Sequence, residues 1–544
     1  MREFTLHRTS GALSRHSVAH LHRTIRLAAV TALLAVGLPH LVHAQNPLVI
    51  KIKSLGASAI APGFSGFNVP QPRNGVEFYD PKFVAAATPL RAGWVRYPAG
   101  TASMDFDWTT GHTNIAWMNS LIGGNPPLVT GVPASILSVS QQLTQAKGGD
   151  AFSDFAAFAS ALKAAAIICF NSYTDTNPGS ATQMALAAQS YGLKVVDWEL
   201  ANEAYFYPSI YPAAATYAAA SNSYFNDIVA GAPAATVGLF TAGWYPGTAG
   251  CPAAPQPCYP NWDSGLSGYT PQYWNAASNH IYPIVKNQNT QNTILALNGV
   301  LASGSSDYIN SYLVPLVGTN TPIYITELNC CSQDNNVFLT YIYNGIFLAE
   351  YIARLSLVPN VKGVGVNSLY TDNYDNHGLI QSVNDYESYL LAQVAANPDF
   401  STNTAADPNT QFQFYTSAPG LAMQVANIAI NSGVKIWPTT VTGGPTVATS
   451  GFSGNRMLAV YAQTYVAASG RHYLLITNKS SLSQTATIYL GASAVQGTLN
   501  LIFVSSSSPS AANAAQTPNN VQIQTTTSSN PIQLAPYSVT TVWW

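Results

Sequence analysis

The sequence predicts an α/β protein: a (β/α)8 TIM barrel followed by a C-terminal antiparallel β-sandwich domain. Three observations carry this. Apolar strand-like runs alternate with helix-like segments through residues 63–415. Two of those runs, one beginning at Val195 and one at Pro322, each deliver a glutamate at their end. From residue 416 onward, short β-like runs punctuated by Ser, Gly, Asn and Pro replace the alternation. A length of 544 residues also exceeds what one ordinary core accommodates.

The N-terminus comes first. Arg2, Arg8, Arg15, Arg23 and Arg26 precede the apolar run Leu27 to Leu38, and Val42-His43-Ala44 stands before Gln45. This is the form of a signal peptide over residues 1–44, cleaved after Ala44. Its apolar run is too short to span a membrane, and no later stretch is long enough. The expectation is a secreted or periplasmic protein with no membrane attachment after cleavage. Removing five arginines and Glu3 leaves 16 basic and 22 acidic residues of the original 21 and 23, a net charge of −6. Nucleic acid or a heavily sulfated polymer would need a basic groove, so neither is an expected partner. Charged residues make up only 8% of the chain, and Asn, Thr, Ser, Gln and Tyr supply its polar surface instead.

Residues 45–62 contain Leu48 to Ile52, a strand expected to join the sandwich. Eight barrel strands follow: Phe64 to Asn68, Ala92 to Tyr97, Ile167 to Asn171, Val195 to Leu200, Thr236 to Phe240, Asn279 to Pro283, Pro322 to Asn329 and Val361 to Leu369. Helical spacing appears over Phe152 to Ala166, Ser180 to Tyr191, Ala214 to Ile228, Ser306 to Leu316 and Val337 to Leu355. A doubly wound open sheet is the alternative, but no Gly-rich phosphate fingerprint follows the first strand. The sandwich is drawn from Met457 to Tyr461, His472 to Ile476, Thr485 to Leu490, Leu499 to Val504 and Ile532 to Trp543.

In a barrel, functional groups gather at the C-terminal ends of the strands. Glu203 ends the fourth and Glu327 the seventh. Glycoside hydrolysis needs one carboxyl to protonate the leaving oxygen and a second to attack or to activate water. Glu203 is the candidate acid/base, with a pKa expected to be raised by burial and by its neighbouring carboxylate. Glu327 is the candidate nucleophile, held ionised by Arg96 and Tyr282. Asn202 is placed to bond a sugar 2-hydroxyl, and His280 to touch substrate. Glu199, four residues before Glu203, reads as structural. Trp94, Trp108 and Trp198 read as core rather than as sugar platforms.

Several short motifs occur together here: Asn202-Glu203, Arg96-Tyr97-Pro98-Ala99-Gly100-Thr101 with Asp107-Trp108, His280-Ile281-Tyr282, Glu327-Leu328-Asn329, and Leu534-Ala535-Pro536-Tyr537-Ser538-Val539. Taken in their order along the chain, they resemble the retaining clan A glycosidases. They are most similar to glycoside hydrolase family 79, which contains β-glucuronidases and heparanases. The resemblance implies Glu203 as acid/base and Glu327 as nucleophile, acting on an oligosaccharide, polysaccharide or aryl glycoside. In family members that grip a uronic acid, aromatic or Gly-Gly sequence usually follows the nucleophile. Cys330-Cys331-Ser332-Gln333-Asp334 stands here instead. Tyr370 and Tyr374, beyond the eighth strand, are the remaining candidates to receive a uronate carboxylate.

The preferred expectation is thus a β-glucuronidase-like retaining hydrolase. An α-L-arabinofuranosidase or β-xylosidase of the same clan is the neighbouring alternative. A non-catalytic carbohydrate-binding protein is the alternative from another class. No metal or organic cofactor is called for, since no Cys/His spacing matches a zinc site. Cys251 and Cys258 bracket a Pro-rich loop and are candidates for a local disulfide. Cys330 and Cys331 either bridge each other or pair elsewhere, and their pairing stays open, as does the oligomeric state.

Overall fold

Eight short runs of apolar and β-branched residues form the parallel strands β1 Ser65–Asn68, β2 Trp94–Tyr97, β3 Ala165–Phe170, β4 Val195–Leu200, β5 Val237–Phe240, β6 Ala276–Ile281, β7 Ile323–Leu328 and β8 Val361–Val366. Each pairs in parallel with the next, and Val364 to Val366 of β8 pair with Ser65 to Phe67 of β1 to close the ring. The structure is a computed structural model. It describes residues 47–69, 78, 80–122, 151–242, 259–284, 288–303, 309–332, 335–371, 376–382, 413–450 and 456–544. The expected signal peptide over residues 1–44, Cys251, Cys258 and Tyr374 lie outside the described residues.

The barrel interior is a packed core. Trp94 fills its floor with Ile167, Ala276 and Tyr324. The indole lies so close to β1 and β8 that a Cβ at Gly66, Gly363 or Gly365 would come within 2.2, 2.8 and 2.3 Å of it. Above the floor the pairing departs from regular register. It shifts between Asn279 and His280 on β6, and again between Ile325 and Leu328 on β7. Such bulges re-aim side chains at strand ends, and this one lies where Glu327 leaves β7.

Among the elements the sequence reading did not assign, two helices bear on the packing of the barrel. Helix Thr290–Ala302, capped by Asn289, follows β6 in a stretch left unassigned. Helix Ala418–Ile430, capped by the Ser417 hydroxyl, lies beyond the residue taken as the end of the barrel. It packs on helix Ile342–Leu355, bonds Leu90 of the barrel through Asn427, and accepts from Thr541 of the last sandwich strand at Val425. Burial on nearly every side removes the polar stripe that would have marked it as a helix.

The sandwich consists of two sheets. One contains Thr439–Thr442, Leu48–Ile52, Gln484–Leu490, Ser493–Ala494 and Ile532–Leu534. The other runs Ser58–Ala59, Lys435–Trp437, Val460–Val466, His472–Asn478, Ser538–Trp543, Leu499–Ser505, Ile523–Ser528. Alternate residues of both enclose a shared core that includes Ile50, Ile52, Leu474, Ile476, Ile488, Leu501 and Val542. Leu48–Ile52 pairs in parallel with Gln484–Leu490, which ties the start of the described chain into this domain.

Barrel and sandwich meet through a buried charge cluster. Glu350, on helix Ile342–Leu355, accepts from Lys479 and Thr477 of the sandwich and from Arg354 one turn along its own helix. Burial works against both charges, yet Lys479 and Arg354 hold Glu350 below the usual carboxylate range. Removing one partner of a buried pair strands the other charge. Lys479→Met, however, still leaves Glu350 with Arg354 and Thr477 and only one donor short, so it is expected to destabilise the protein by about 1–3 kcal/mol. Denaturant unfolding checks this, and an unchanged midpoint would deny the cluster its role.

Candidate active site

The strand ends bring the candidate residues together around one guanidinium. Arg96, at the end of β2, is fully buried. Its Nε donates to Glu199 Oε2 at 2.5 Å, Nη1 to Glu327 Oε1 at 2.8 Å, and Nη2 to Asn202 Oδ1 at 2.8 Å. Burial opposes the charge, and the Glu199 and Glu327 carboxylates outweigh it, so the pKa rises above the ordinary guanidinium value. The ion-pair partners of Arg96 are these two glutamates. Glu199 is structural in a specific sense: it is the buried counter-ion that holds Arg96.

Glu327 receives three donors. Besides Arg96, Tyr282 donates its hydroxyl to Oε2 at 2.6 Å, and Asn68 Nδ2 reaches Oε1 at 3.3 Å. Asn367, just past β8, links the last two: its Nδ2 donates to the Tyr282 hydroxyl at 2.7 Å, and its Oδ1 accepts from Asn68 at 2.8 Å. Gly100 completes the cradle by having no side chain. A Cβ there would stand 2.4 Å from Glu327 Oε1 and 3.0 Å from Asn202 Oδ1.

Glu203 stands in a strained turn. It has φ 49°, and Ala201 has φ 65°, conformations few non-glycine residues adopt. The turn holds Asn202 against Arg96, while its backbone carbonyl accepts from the Tyr173 hydroxyl at 2.5 Å. Glu203 Oε1 accepts from Tyr205 at 3.0 Å and bonds His280 Nδ1 at 2.9 Å. Burial pulls this carboxyl upward, but attraction to His280 and the bonds from His280 and Tyr205 outweigh it. The Glu203 pKa is thus lowered, and the expected rise is corrected. An ionised carboxylate only accepts, so the ring nitrogen is the donor.

His280 also lies 3.6 Å from Glu327 Oε2 through the same Nδ1. With Glu203 Oε1 2.9 Å from that atom, the two carboxylate oxygens lie within 6.5 Å of each other. One described candidate does not join the group. Tyr370 is buried edge-on between Phe83 and Phe414 in the aromatic core, and Tyr374 is outside the described residues. Of the tryptophans, Trp94 and Trp198 are core and Trp108 bonds Ser180.

Asn68, Asn367, Tyr205 and Tyr173 were missed in the sequence. Asn68 and Asn367 stand at the ends of β1 and β8, so the strand-end rule that picked out the glutamates would have found them.

No protein-family model matches the chain, and no curated protein matches it. Solved structures do. An arabinofuranosidase of glycoside hydrolase family 51 from Xanthomonas axonopodis pv. citri superposes with a TM-score of 0.63 at 12% identity, over 91% of this chain and 99% of that one. The α-L-arabinofuranosidase of Thermotoga maritima gives 0.61 at 15% identity, over 91% and 99%. A 4-O-α-L-rhamnosyl-β-D-glucuronidase from Fusarium oxysporum gives 0.55 at 13% identity, over 91% and 100%. The likeness is one of fold.

Arg96→Met would leave Glu199 buried without its cation, and the expected loss is about 3–5 kcal/mol at neutral pH. Thermal unfolding of the variant checks it, and an unchanged midpoint would contradict the assignment of Glu199 as counter-ion.

Proposed function

We propose that the chain is an exported retaining glycoside hydrolase, with Glu203 as acid/base and Glu327 as nucleophile. One observation carries this: carboxylates from β4 and β7 converge on a single nitrogen of His280, their oxygens within 6.5 Å. Retaining glycosidases set their two carboxyls about 5–5.5 Å apart, and inverting ones about 6.5–9.5 Å, to admit a water. The bound lies at the near edge of the wider range, which favours direct attack.

Glu327 would attack the anomeric carbon while Glu203 gives its proton to the departing oxygen. Water would then release the sugar from Glu327, with Glu203 taking the proton back. Arg96, Tyr282 and Asn68 hold Glu327 in one orientation, which supports its role as the attacking group. With Oδ1 bound to Arg96, Asn202 offers its NH2 to a sugar hydroxyl.

The sugar is argued from charge. A glucuronide brings a carboxylate that needs a cation or a donor cluster. Among the described residues, the basic groups at the carboxylate pair are already engaged, Arg96 by Glu199, Glu327 and Asn202 and His280 by Glu203. Tyr370 is packed in the core. This favours a neutral substrate such as an α-L-arabinofuranoside over a β-glucuronide. The structural neighbours include arabinofuranosidases and a glucuronidase alike, so the choice rests on the charge argument.

Initial rates on a panel of 4-nitrophenyl glycosides test the reading. We expect turnover of the arabinofuranoside, with kcat/KM at least about a thousandfold lower in Glu327→Ala and in Glu203→Ala. Turnover of the β-glucuronide alone would restore the uronate reading. A wild type inert on every glycoside would favour a binding protein.

The lowered Glu203 pKa also sets a pH dependence. The acid form persists only in acidic solution, so the alkaline limb of kcat/KM is expected at acid pH. His280→Asn removes the main attraction holding Glu203 down, and the limb should then move to higher pH. No movement would rule out His280 as its cause.

A further inference from the structure

The exit of β7 carries a feature that the two-carboxylate reading does not use. Cys330 and Cys331 are adjacent and almost wholly buried, with sulfurs 2.7 Å apart. Unbonded sulfurs do not rest so close, and the gap is only about 0.7 Å longer than a disulfide. Both carbonyls and one amide are already engaged. Cys330 N–H donates to Asn329 Oδ1 at 2.8 Å, its carbonyl accepts from Ile284 at 3.1 Å, and the Cys331 carbonyl accepts from His377 Nε2 at 2.9 Å. The third buried thiol, Cys169, contacts Ser103 and Ala201 and is no partner for either.

We propose that Cys330 and Cys331 form a vicinal disulfide that fixes the β7 exit and, through Asn329, positions the Tyr282–Glu327 pair. Adjacent Cα atoms are about 3.8 Å apart, whereas ordinary disulfides span about 4.4–6.8 Å. The bond therefore closes an eight-membered ring that holds the peptide between the two residues rigid. The path from ring to carboxylate is short. Asn329 accepts from Cys330 and donates to the Asn367 carbonyl at 2.6 Å. Asn367 in turn donates to the Tyr282 hydroxyl, which donates to Glu327. Ile284, two residues past Tyr282, bridges Cys331, so the ends of β6 and β7 are tied at the same place.

The chemistry is thiol–disulfide exchange. One thiolate attacks an oxidant disulfide and displaces a thiol. The second thiolate then attacks the mixed disulfide, forms the Cys330–Cys331 bond and releases a second thiol. Two electrons pass to the oxidant, a disulfide of the kind that export compartments maintain. Thiolate is the attacking form, and the folded barrel buries both sulfurs. Closure thus belongs to folding, and the finished ring is shielded from reductants in the native protein.

The experiment has two arms. Protein recovered after export is unfolded without reductant in the presence of iodoacetamide and digested. The peptide spanning the pair is expected to be unalkylated and lighter by two hydrogens than its reduced form. Two alkylated thiols, or a bond from either sulfur to Cys251 or Cys258, would overturn the ring. The second arm concerns positioning and rests on the glycosidase reading. Cys330→Ser/Cys331→Ser is compared with the wild-type chain refolded under reductant, a dithiol form of the same sequence. Both are expected to lose about ten- to a hundredfold in kcat per titrated active site, with KM little changed. Full kcat in the dithiol form would remove the positioning role. A wild type inactive on all glycosides would sink the glycosidase reading, while the peptide mass would still decide the bond.

Discussion

A guanidinium sealed inside a barrel is the constraint on which the upper half of this molecule depends. Placing one charge in a low-dielectric interior costs several kcal/mol unless it is paired and hydrogen-bonded. Arg96 meets that demand from three directions, with Glu199 from β4, Glu327 from β7 and the Asn202 amide from the turn after β4. The Phe240 ring on β5 faces it at 5.8 Å. These partners need defined backbone. The bulge in β7 aims Glu327 inward, positive φ angles at Ala201 and Glu203 flank Asn202, and Gly100 leaves room for both acceptors. The same arrangement that neutralises a buried cation therefore builds the carboxylate pair.

The pair is not symmetric, and its asymmetry is written in hydrogen bonds. Glu327 is gripped by a cation, a phenol and an amide, all from strand ends. Glu203 is held by an imidazole and by Tyr205, its neighbour two residues on. A group gripped by three donors keeps one orientation, as an attacking carboxylate must. A group bound to an imidazole lies on a path along which protons move. The proposed division of roles follows from these surroundings rather than from the two glutamates, which are chemically identical.

Much of this was legible in the sequence, and the exceptions have physical causes. All eight barrel strands were readable because parallel strands buried on both faces appear as continuous apolar runs. Glu203 and Glu327 stood out because each ends such a run. Helix Ala418–Ile430 was hidden by its own burial, and helix Thr290–Ala302 by a polar first turn, Thr290-Gln291-Asn292-Thr293. Tyr370 was offered to solvent by its place after β8, yet a short pairing with Ile380 turns it into the core. The direction of the Glu203 shift was misjudged because the like-charged neighbour was visible in the strand pattern and the His280 contact was not. That contact links residues 77 positions apart, and a register shift beside His280 accompanies it. Local pattern encodes strands; it does not encode the half-step that decides which side chains meet.

The electrostatics also bear on how one carboxyl serves two steps. In the resting site Glu203 is ionised easily, which is unhelpful to an acid but suits a base. In the proposed mechanism, Glu327 loses its charge when it becomes the glycosyl ester, because an ester is neutral. The like-charge repulsion that favours protonated Glu203 in the first step is then gone. His280 remains bonded to Glu203 throughout, so the balance moves toward the ionised form at the step that needs a base. His280 touches both carboxylates through one nitrogen, so it is the atom across which this exchange of charge is felt. The ring packs edge-on against Phe240 at 5.0 Å. With the two carboxylate oxygens within 6.5 Å, a change of charge on one glutamate acts on the other directly through space, without any movement of the barrel.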